Sequence, residues 1–184
     1  MPCQHDPALR AAAALREQGG QDDQHGDREA IGAGLEVERV LVPVSAASQD
    51  LVDMAQSAGV PCALVADRTF EGLSTTRTSQ PALAEVVCHD VSVSKIGATQ
   101  GTVLLLAGVG DPGNAGALVR AAEAFGASGV VFADGVDPYN PKVVRAAAGS
   151  TFRLPISLTP GPDPVRGAFE VLAAGGYRLL APTP

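Results

Sequence analysis

Asn114 and Arg120, an amide and a guanidinium six positions apart, are the side chains of this sequence best suited to act on a ligand. They follow an apolar run, residues 104–107, and a loop that contains glycines and an Asp-Pro doublet. Arginine is a permanently charged, forked donor that can grip a phosphate or polarise a hydroxyl group. The order of apolar run, loop and helix predicts that both residues lie where open α/β sheets bind ligands.

Each of these two residues also has an ordinary structural interpretation. Asn114 is a favoured type of residue for the N-cap of the helix predicted over residues 115–125. Arg120 can be a solvated side chain that pairs with Glu123 on the same helix. The residues alone leave the catalytic and the structural interpretations open.

Two further basic residues, Lys142 and Arg145, are three positions apart on the helix predicted to begin after Asn140. Residues at this spacing share one face of a helix. The face is either solvated or contacts the phosphates of RNA, since such contacts position a nucleic acid without reading its sequence.

The glycines of the loop offer a rival hypothesis. Gly108, Gly110 and Gly113 have the spacing of the dinucleotide-binding fingerprint, and Asp134 ends the following strand as a candidate ribose ligand. Pro112 within the loop counts against this interpretation. A nucleotide-binding oxidoreductase is therefore kept as a less favoured alternative.

Composition narrows the possible classes of protein. The 184 residues are 46% hydrophobic and include no Trp, so the core is expected to consist mainly of Ala, Val and Leu. No apolar run is long enough for a membrane helix, and the N-terminus has no signal-peptide pattern. Three widely spaced cysteines, Cys3, Cys62 and Cys88, predict reduced thiols in a cytoplasmic protein and no metal site.

The formal net charge of −7 is unevenly distributed along the chain. Residues 1–90 carry 14 acidic and 6 basic side chains, whereas residues 91–184 carry 6 acidic and 7 basic ones. The acidity therefore belongs to the front half, and charge neither supports nor excludes an RNA partner.

The elements that must position these side chains alternate in the second half of the chain. Strands are predicted over residues 102–107, 129–133, 151–156 and 177–181, with helices over 115–125, 141–148 and 164–174. Leu118, Ala121, Ala122 and Phe125 are expected to form the buried face of the first of these helices. Alternating strands and helices imply a parallel sheet.

The first half is expected to be a smaller α/β module. A helix is predicted over residues 7–18, a linker over 19–26, strands over 37–43, 61–66 and 82–88, and a short helix from Ser48 or Gln49 towards Gly59. A further linker is predicted over residues 91–101, where Ser, Lys and Gly replace the apolar pattern.

Two segments closely resemble the SpoU (TrmH-type) branch of the SPOUT RNA 2′-O-ribose methyltransferases. They are residues 111–126, DPGNAGALVRAAEAFG, and residues 137–150, DPYNPKVVRAAAGS. Residues 27–90 are more weakly similar to the family's N-terminal RNA-substrate-binding domain, whereas residues 1–26 match no part of it. Residues 102–184 correspond to the N-terminal part of the methyltransferase domain.

The resemblance implies an S-adenosylmethionine-dependent enzyme that acts on rRNA or tRNA and forms a homodimer. Arg120 would help to activate the ribose 2′-hydroxyl, and Asn114 would orient that Arg or the substrate. Lys142 and Arg145 are the candidate RNA contacts.

Family members continue with a Gly-x-Glu motif and a Ser-Leu-Asn motif in the knotted segment that holds the cofactor. Neither motif occurs in residues 102–184. The resemblance therefore predicts an incomplete chain whose methyltransferase fold lacks the knotted part and whose activity is impaired. A non-catalytic RNA-binding module is the alternative function.

Overall fold

The structure, a computed structural model, describes residues 12–13, 37–46, 49–73, 82–88 and 90–181. The chain divides into two compact units, Met1–Cys88 and His89–Pro184. Each unit has its own sheet and its own core.

The first unit contains a mixed four-stranded sheet in the order β1-β4-β2-β3. Strand β2 pairs in parallel with β3 and antiparallel with β4, which in turn pairs antiparallel with β1. Its elements are β1 (Ala12–Ala13), β2 (Val37–Pro43), a 3-10 turn (Val44–Ala46), α1 (Gln49–Ser57), β3 (Cys62–Val65), α2 (Asp67–Leu73) and β4 (Leu83–Val86).

The predicted strands and short helix of this unit are confirmed, with shorter bounds for β3 and β4. Val40, Val42 and Ala55 are buried in one cluster, where α1 covers the sheet. Gly59, at φ +70°, follows α1 as the sequence predicts. The N–H groups of Gly59 and Val60 bond back to the last turn of the helix, as in a Schellman motif.

The helix predicted over residues 7–18 is wrong where it can be compared. Ala12 and Ala13 form β1, which pairs with β4. Hydrogen bonds to β4 satisfy their backbone groups, and this pairing outweighs the intrinsic preference of alanine for a helix. The predicted linker over residues 19–26 lies outside the described residues.

The second unit is a three-stranded parallel sheet in the order β5-β6-β7, with helices on both faces. Its elements are α3 (Val93–Gly97), β5 (Val103–Val109), α4 (Pro112–Ala124), β6 (Gly129–Gly135), α5 (Pro141–Ala147), α6 (Ser150–Arg153), β7 (Ile156–Leu158) and α7 (Pro164–Ala174). The predicted α/β class with a parallel sheet is thereby confirmed.

Strand β6 lies in the middle of this sheet and is buried on both faces. Val130 and Phe132 pack towards α4 and α5, whereas Val131 and Ala133 pack towards α3 and α7. This two-residue alternation follows from the pleat of the strand, and burial on both faces is typical of parallel sheets. The sheet therefore holds α4 rigidly above one of its faces.

Two predicted strands of this unit are corrected. Ala148 (φ +48°) and Gly149 (φ +82°) adopt left-handed conformations that redirect the chain into α6, so β7 begins only at Ile156. Residues 177–181 form no strand. Instead the Tyr177 hydroxyl donates a hydrogen bond to the Thr99 carbonyl, and the Tyr177 ring packs on the cluster beneath α7.

The segment predicted as a linker over residues 91–101 is part of the second unit. It contains α3, whose N-cap Ser92 accepts a hydrogen bond from the Lys95 N–H. Ile96 is 1% exposed in the cluster that α3 shares with α7. Burial of Val93 and Ile96, three positions apart, outweighs the loop-like composition of the segment.

Within the described ranges, no helix is long and apolar enough to cross a membrane. No group of three or more His, Cys, Asp or Glu residues is arranged there to hold a metal ion.

Candidate active site

The site is built on α4, which begins where β5 ends. Asp111, and not Asn114, is the N-cap of α4: its Oδ1 accepts a hydrogen bond of 2.7 Å from the Asn114 N–H. The sequence-based cap is therefore three residues too late. Asn114 is instead an exposed residue of the first helical turn, and its side-chain amide is not used for capping.

The missed signal is the Asp-Pro doublet itself. Pro112 takes the first helical position, where its fixed φ suits the helix and its missing N–H costs nothing. The same cap followed by proline correctly predicts α5, which Asn140 caps, and α7, which Asp163 caps.

The buried face of α4 also differs from the prediction. Ala115, Gly116, Val119 and Ala122 are buried, whereas Leu118 is 38% and Phe125 is 90% exposed. The reason is the close approach of α5. A Cβ atom at Gly116 would lie 2.5 Å from the Val143 carbonyl oxygen, so this side of α4 must face α5.

Arg120 is exposed at the edge of the buried face of α4, next to buried Val119 and one turn after Gly116. Among the described residues, Arg120 forms no hydrogen bond or ion pair. The ion pair between Arg120 and Glu123, which is the structural interpretation of Arg120, is not formed. Glu123 pairs with Arg153 instead. The guanidinium of Arg120 is therefore available to a ligand.

Glu123 joins α4 to α6 through both oxygens of its carboxylate. Its Oε1 accepts a hydrogen bond of 2.5 Å from Arg153 Nε, and its Oε2 accepts one of 3.0 Å from Arg153 Nη2. Ser150 Oγ, in a residue that is 1% exposed, donates to Oε2 at 2.5 Å. The Arg153 hydrogen bond lowers the pKa of Glu123, with help from Ser150, against the opposing effect of burial. Sequence analysis missed this cluster, because its members are 27 and 30 residues apart.

Asn114 and Arg120 lie on one helix but not on one line along it. Six residues separate their Cα atoms by about 9 Å along the axis and about 120° around it. A long side chain on a helix leans towards the N-terminus, which brings the Arg120 guanidinium back towards the Asn114 end. The two groups can therefore contact different parts of one ligand, and no hydrogen bond joins them.

The second candidate face lies on α5. Asn140 Oδ1 accepts a hydrogen bond of 2.9 Å from the Lys142 N–H, and Pro141 follows the cap as predicted. The Lys142 side chain is exposed, whereas Arg145 is half-buried and engaged in contacts of its own. Of the two candidate RNA contacts, Lys142 is the more accessible.

The dinucleotide interpretation conflicts with this geometry. A pyrophosphate needs the free N–H groups at the start of α4, but the Asp111 carboxylate already occupies that position and would repel it. Asp134 is equally unsuited to bind ribose, since its carboxylate accepts the N–H of its own neighbour, Gly135, at 2.8 Å.

The capping assignment gives a direct stability prediction. We expect Asp111→Ala to lower the free energy of unfolding of the second unit by about 1 kcal/mol, whereas Asn114→Ala leaves it unchanged or slightly higher. Both tyrosines of the chain, Tyr139 and Tyr177, lie in the second unit, and there is no Trp. Tyrosine fluorescence during urea unfolding therefore reports on this unit alone. The opposite ranking of the two variants would restore Asn114 as the cap.

The fold of this chain is similar to the folds of solved RNA methyltransferases. The SpoU methyltransferase AviRb from Streptomyces viridochromogenes, solved with the cofactor AdoMet, aligns with a TM-score of 0.68 and 25% identity over 81% of this chain and 58% of that one.

Sequence comparison gives a family match for the second unit. Residues 101–182, which make up most of that unit, match the model of the SpoU rRNA Methylase family. A Bacillus subtilis protein, 23S rRNA (guanosine(2553)-2′-O)-methyltransferase RlmP, is 39% identical over 99 residues, which are 53% of this chain and 38% of that protein. The 23S rRNA (uridine(2479)-2′-O)-methyltransferase of Streptomyces viridochromogenes is 42% identical over 70 residues, 38% of this chain and 24% of that protein. The chain thus matches well under two thirds of the length of these relatives.

S-adenosylmethionine would need many polar partners at the carboxyl edge of the sheet. Thr159 Oγ1, just after β7, is buried without a partner among these residues and is therefore available to a ligand. One hydroxyl cannot satisfy the many polar groups of an adenosyl cofactor. The described residues do not by themselves form its pocket.

Proposed function

We propose that this chain acts in the 2′-O-methylation of RNA ribose, with S-adenosylmethionine as methyl donor. The observation that carries the proposal is Arg120, exposed and unpaired among the described residues, on α4 within the segment that matches the SpoU family model. The activities of the Bacillus and Streptomyces relatives support the same reaction.

Arg120 supplies the electrostatic part of the reaction. A guanidinium does not give up its proton at physiological pH, so it cannot act as a base. It stabilises the negative charge that develops on the 2′-oxygen as the hydroxyl proton passes to water, or binds the neighbouring phosphate and fixes the ribose in place. S-adenosylmethionine supplies a methyl group activated on a sulfonium sulfur. Asn114 contacts the substrate from the N-terminal end of the same helix.

The remaining parts of the proposal concern recognition. Lys142, with Arg145 beside it, contacts RNA phosphates, and residues 27–90 form a substrate-binding domain for rRNA or tRNA. We infer a cytoplasmic protein that acts as a homodimer. The first unit is acidic, so its net charge repels RNA. Its RNA contacts must therefore be made by local surfaces that are less acidic than the unit as a whole.

The test is methyl transfer by the 184-residue chain to unmodified 23S rRNA transcribed in vitro, with tritium-labelled S-adenosylmethionine. We expect label on RNA, at a nucleotide that becomes resistant to alkaline cleavage because its 2′-oxygen is blocked. Titration of S-adenosylmethionine alone into the chain measures cofactor binding separately.

The alternative outcome is equally informative. RNA binding that weakens with salt, without any transfer of label, would contradict the proposal and support a non-catalytic RNA-binding module. A fluorescence response to NADH would instead revive the nucleotide-binding interpretation.

A further inference from the structure

The Glu123–Arg153–Ser150 cluster lies one helical turn from Arg120. Glu123 follows Arg120 by three positions, a spacing at which oppositely charged side chains on a helix are neighbours and attract each other. A free Glu123 carboxylate would therefore be the nearest competitor of an RNA phosphate for the Arg120 guanidinium.

The contacts of Glu123 remove this competitor. Arg153 donates two hydrogen bonds, one to each carboxylate oxygen, and buried Ser150 donates a third. The paired, nearly parallel geometry of an Arg–carboxylate contact is stronger than a single-point ion pair. The Glu123 and Arg153 side chains are only 28% and 36% exposed, so solvent screens this pair less than it would screen Arg120.

We propose that Arg153 and Ser150 are positioning residues that sequester Glu123 and so keep Arg120 free to bind an anionic substrate. This inference rests on the proposed function for its substrate, RNA. The exchange of partners among the four side chains does not depend on the proposed function. Arg153 and Ser150 act through Glu123 and do not themselves contact the ligand.

The first experiment needs no RNA. The titration of the Glu123 carboxyl carbon is followed by NMR in the wild type, Arg120→Gln, Arg153→Gln and the double variant. We expect Arg120→Gln to leave the pKa of Glu123 unchanged in the wild-type background. In the Arg153→Gln background, where Arg120 takes over as partner, the same substitution should raise that pKa. An equal response in both backgrounds would overturn the proposal, because it would mean that Arg153 does not control access of Glu123 to Arg120.

The second experiment measures binding of in vitro transcribed 23S rRNA at low salt. We expect Arg153→Gln to weaken binding about threefold, since it both frees Glu123 and leaves its charge uncompensated near the ligand. Glu123→Gln combined with Arg153→Gln should bind within about twofold of the wild type, because the competitor is gone and the net charge is restored. Failure of this double variant to recover binding, although it remains folded, would contradict the sequestration.

A matched control lies on α7. Arg166 Nε donates to Glu170 Oε1 at 2.8 Å in an exposed ion pair. Arg120 lies on a different helix, α4. Arg166→Gln therefore removes the same charge and frees a Glu, and we expect less than about a twofold loss of binding. Equal losses for Arg153→Gln and Arg166→Gln would show a general charge effect and overturn the inference. If Arg120→Gln itself leaves RNA binding unchanged, Arg120 does not bind the RNA phosphate and the binding part of this inference fails, while the NMR titration still decides the exchange of partners. Failure of the proposed function is read separately, from the absence of label transfer to RNA.

Discussion

Replacing Arg120 with Gln is expected to lower the rate of methyl transfer at least about 100-fold, which corresponds to about 2.7 kcal/mol of lost transition-state stabilisation. The physical reason is that the neutral amide keeps a donor but loses the charge opposite the developing 2′-oxyanion. Arg120 is exposed and forms no ion pair among the described residues, so the substitution should not affect folding. Label transfer to 23S rRNA and urea unfolding of the same preparation measure the two effects separately.

Arg178→Gln is the matched control for this variant. Arg178 is also exposed and also in the second unit, but it lies after α7 and outside the candidate site. The same loss of charge there should change the rate less than about twofold. Comparable losses at both positions would mean that Arg120 contributes only to the general attraction of RNA, and its catalytic assignment would be wrong.

Replacing Gly116 with Ala is expected to have the largest effect on stability. The added Cβ would lie 2.5 Å from the Val143 carbonyl oxygen and 2.9 Å from the Ala147 nitrogen, both of which are backbone atoms of α5. The helices must move apart, and we expect about 1–3 kcal/mol of destabilisation even after the better helix propensity of Ala. Thermal unfolding followed by tyrosine fluorescence should show a midpoint lower by roughly 5–15 °C.

Gly167→Ala provides the opposite expectation in the same unit. A Cβ at Gly167, within α7, would meet only Thr159 Cγ2 at 3.6 Å, an ordinary van der Waals contact. Here the gain in helix propensity is not opposed, and stability should be unchanged or rise by up to about 1 kcal/mol. If both variants behaved alike, the close packing of α4 on α5 at Gly116 would be contradicted. Because α4 carries Arg120, we also expect Gly116→Ala to reduce methyl transfer.

Local signals determined most of the second unit. Proline after a capping side chain marks the start of α5 and α7, and glycines mark the ends of α4 and α7, because these residues act through the backbone of their own neighbourhood. The same signal occurs at Asp111 and Pro112, where α4 begins three residues before the start that the sequence predicts.

The errors share another physical cause. Residues 151–156 and 177–181 have strand-like composition, but a strand exists only where a neighbour accepts its hydrogen bonds. In the described second unit that neighbour is β6, which pairs on one side with β5 and on the other with β7. Leu118 and Phe125 were assigned to the core on helical spacing, yet the approach of α5 at Gly116 turned a different side of α4 inwards.

By itself, the sequence determined the parallel α/β class of the second unit and its similarity to the SpoU family, because both depend on residue types at short, fixed spacing. The same spacing predicts Arg120 as a site residue. Whether Arg120 is free or paired was decided only by the tertiary structure. Glu123 is its neighbour along the helix, but Arg153 and Ser150, 30 and 27 residues away from Glu123, reach that carboxylate when α6 packs against α4. Arg120 and Arg153 compete for Glu123, and the outcome depends on how the helices pack. A local sequence pattern does not predict that packing.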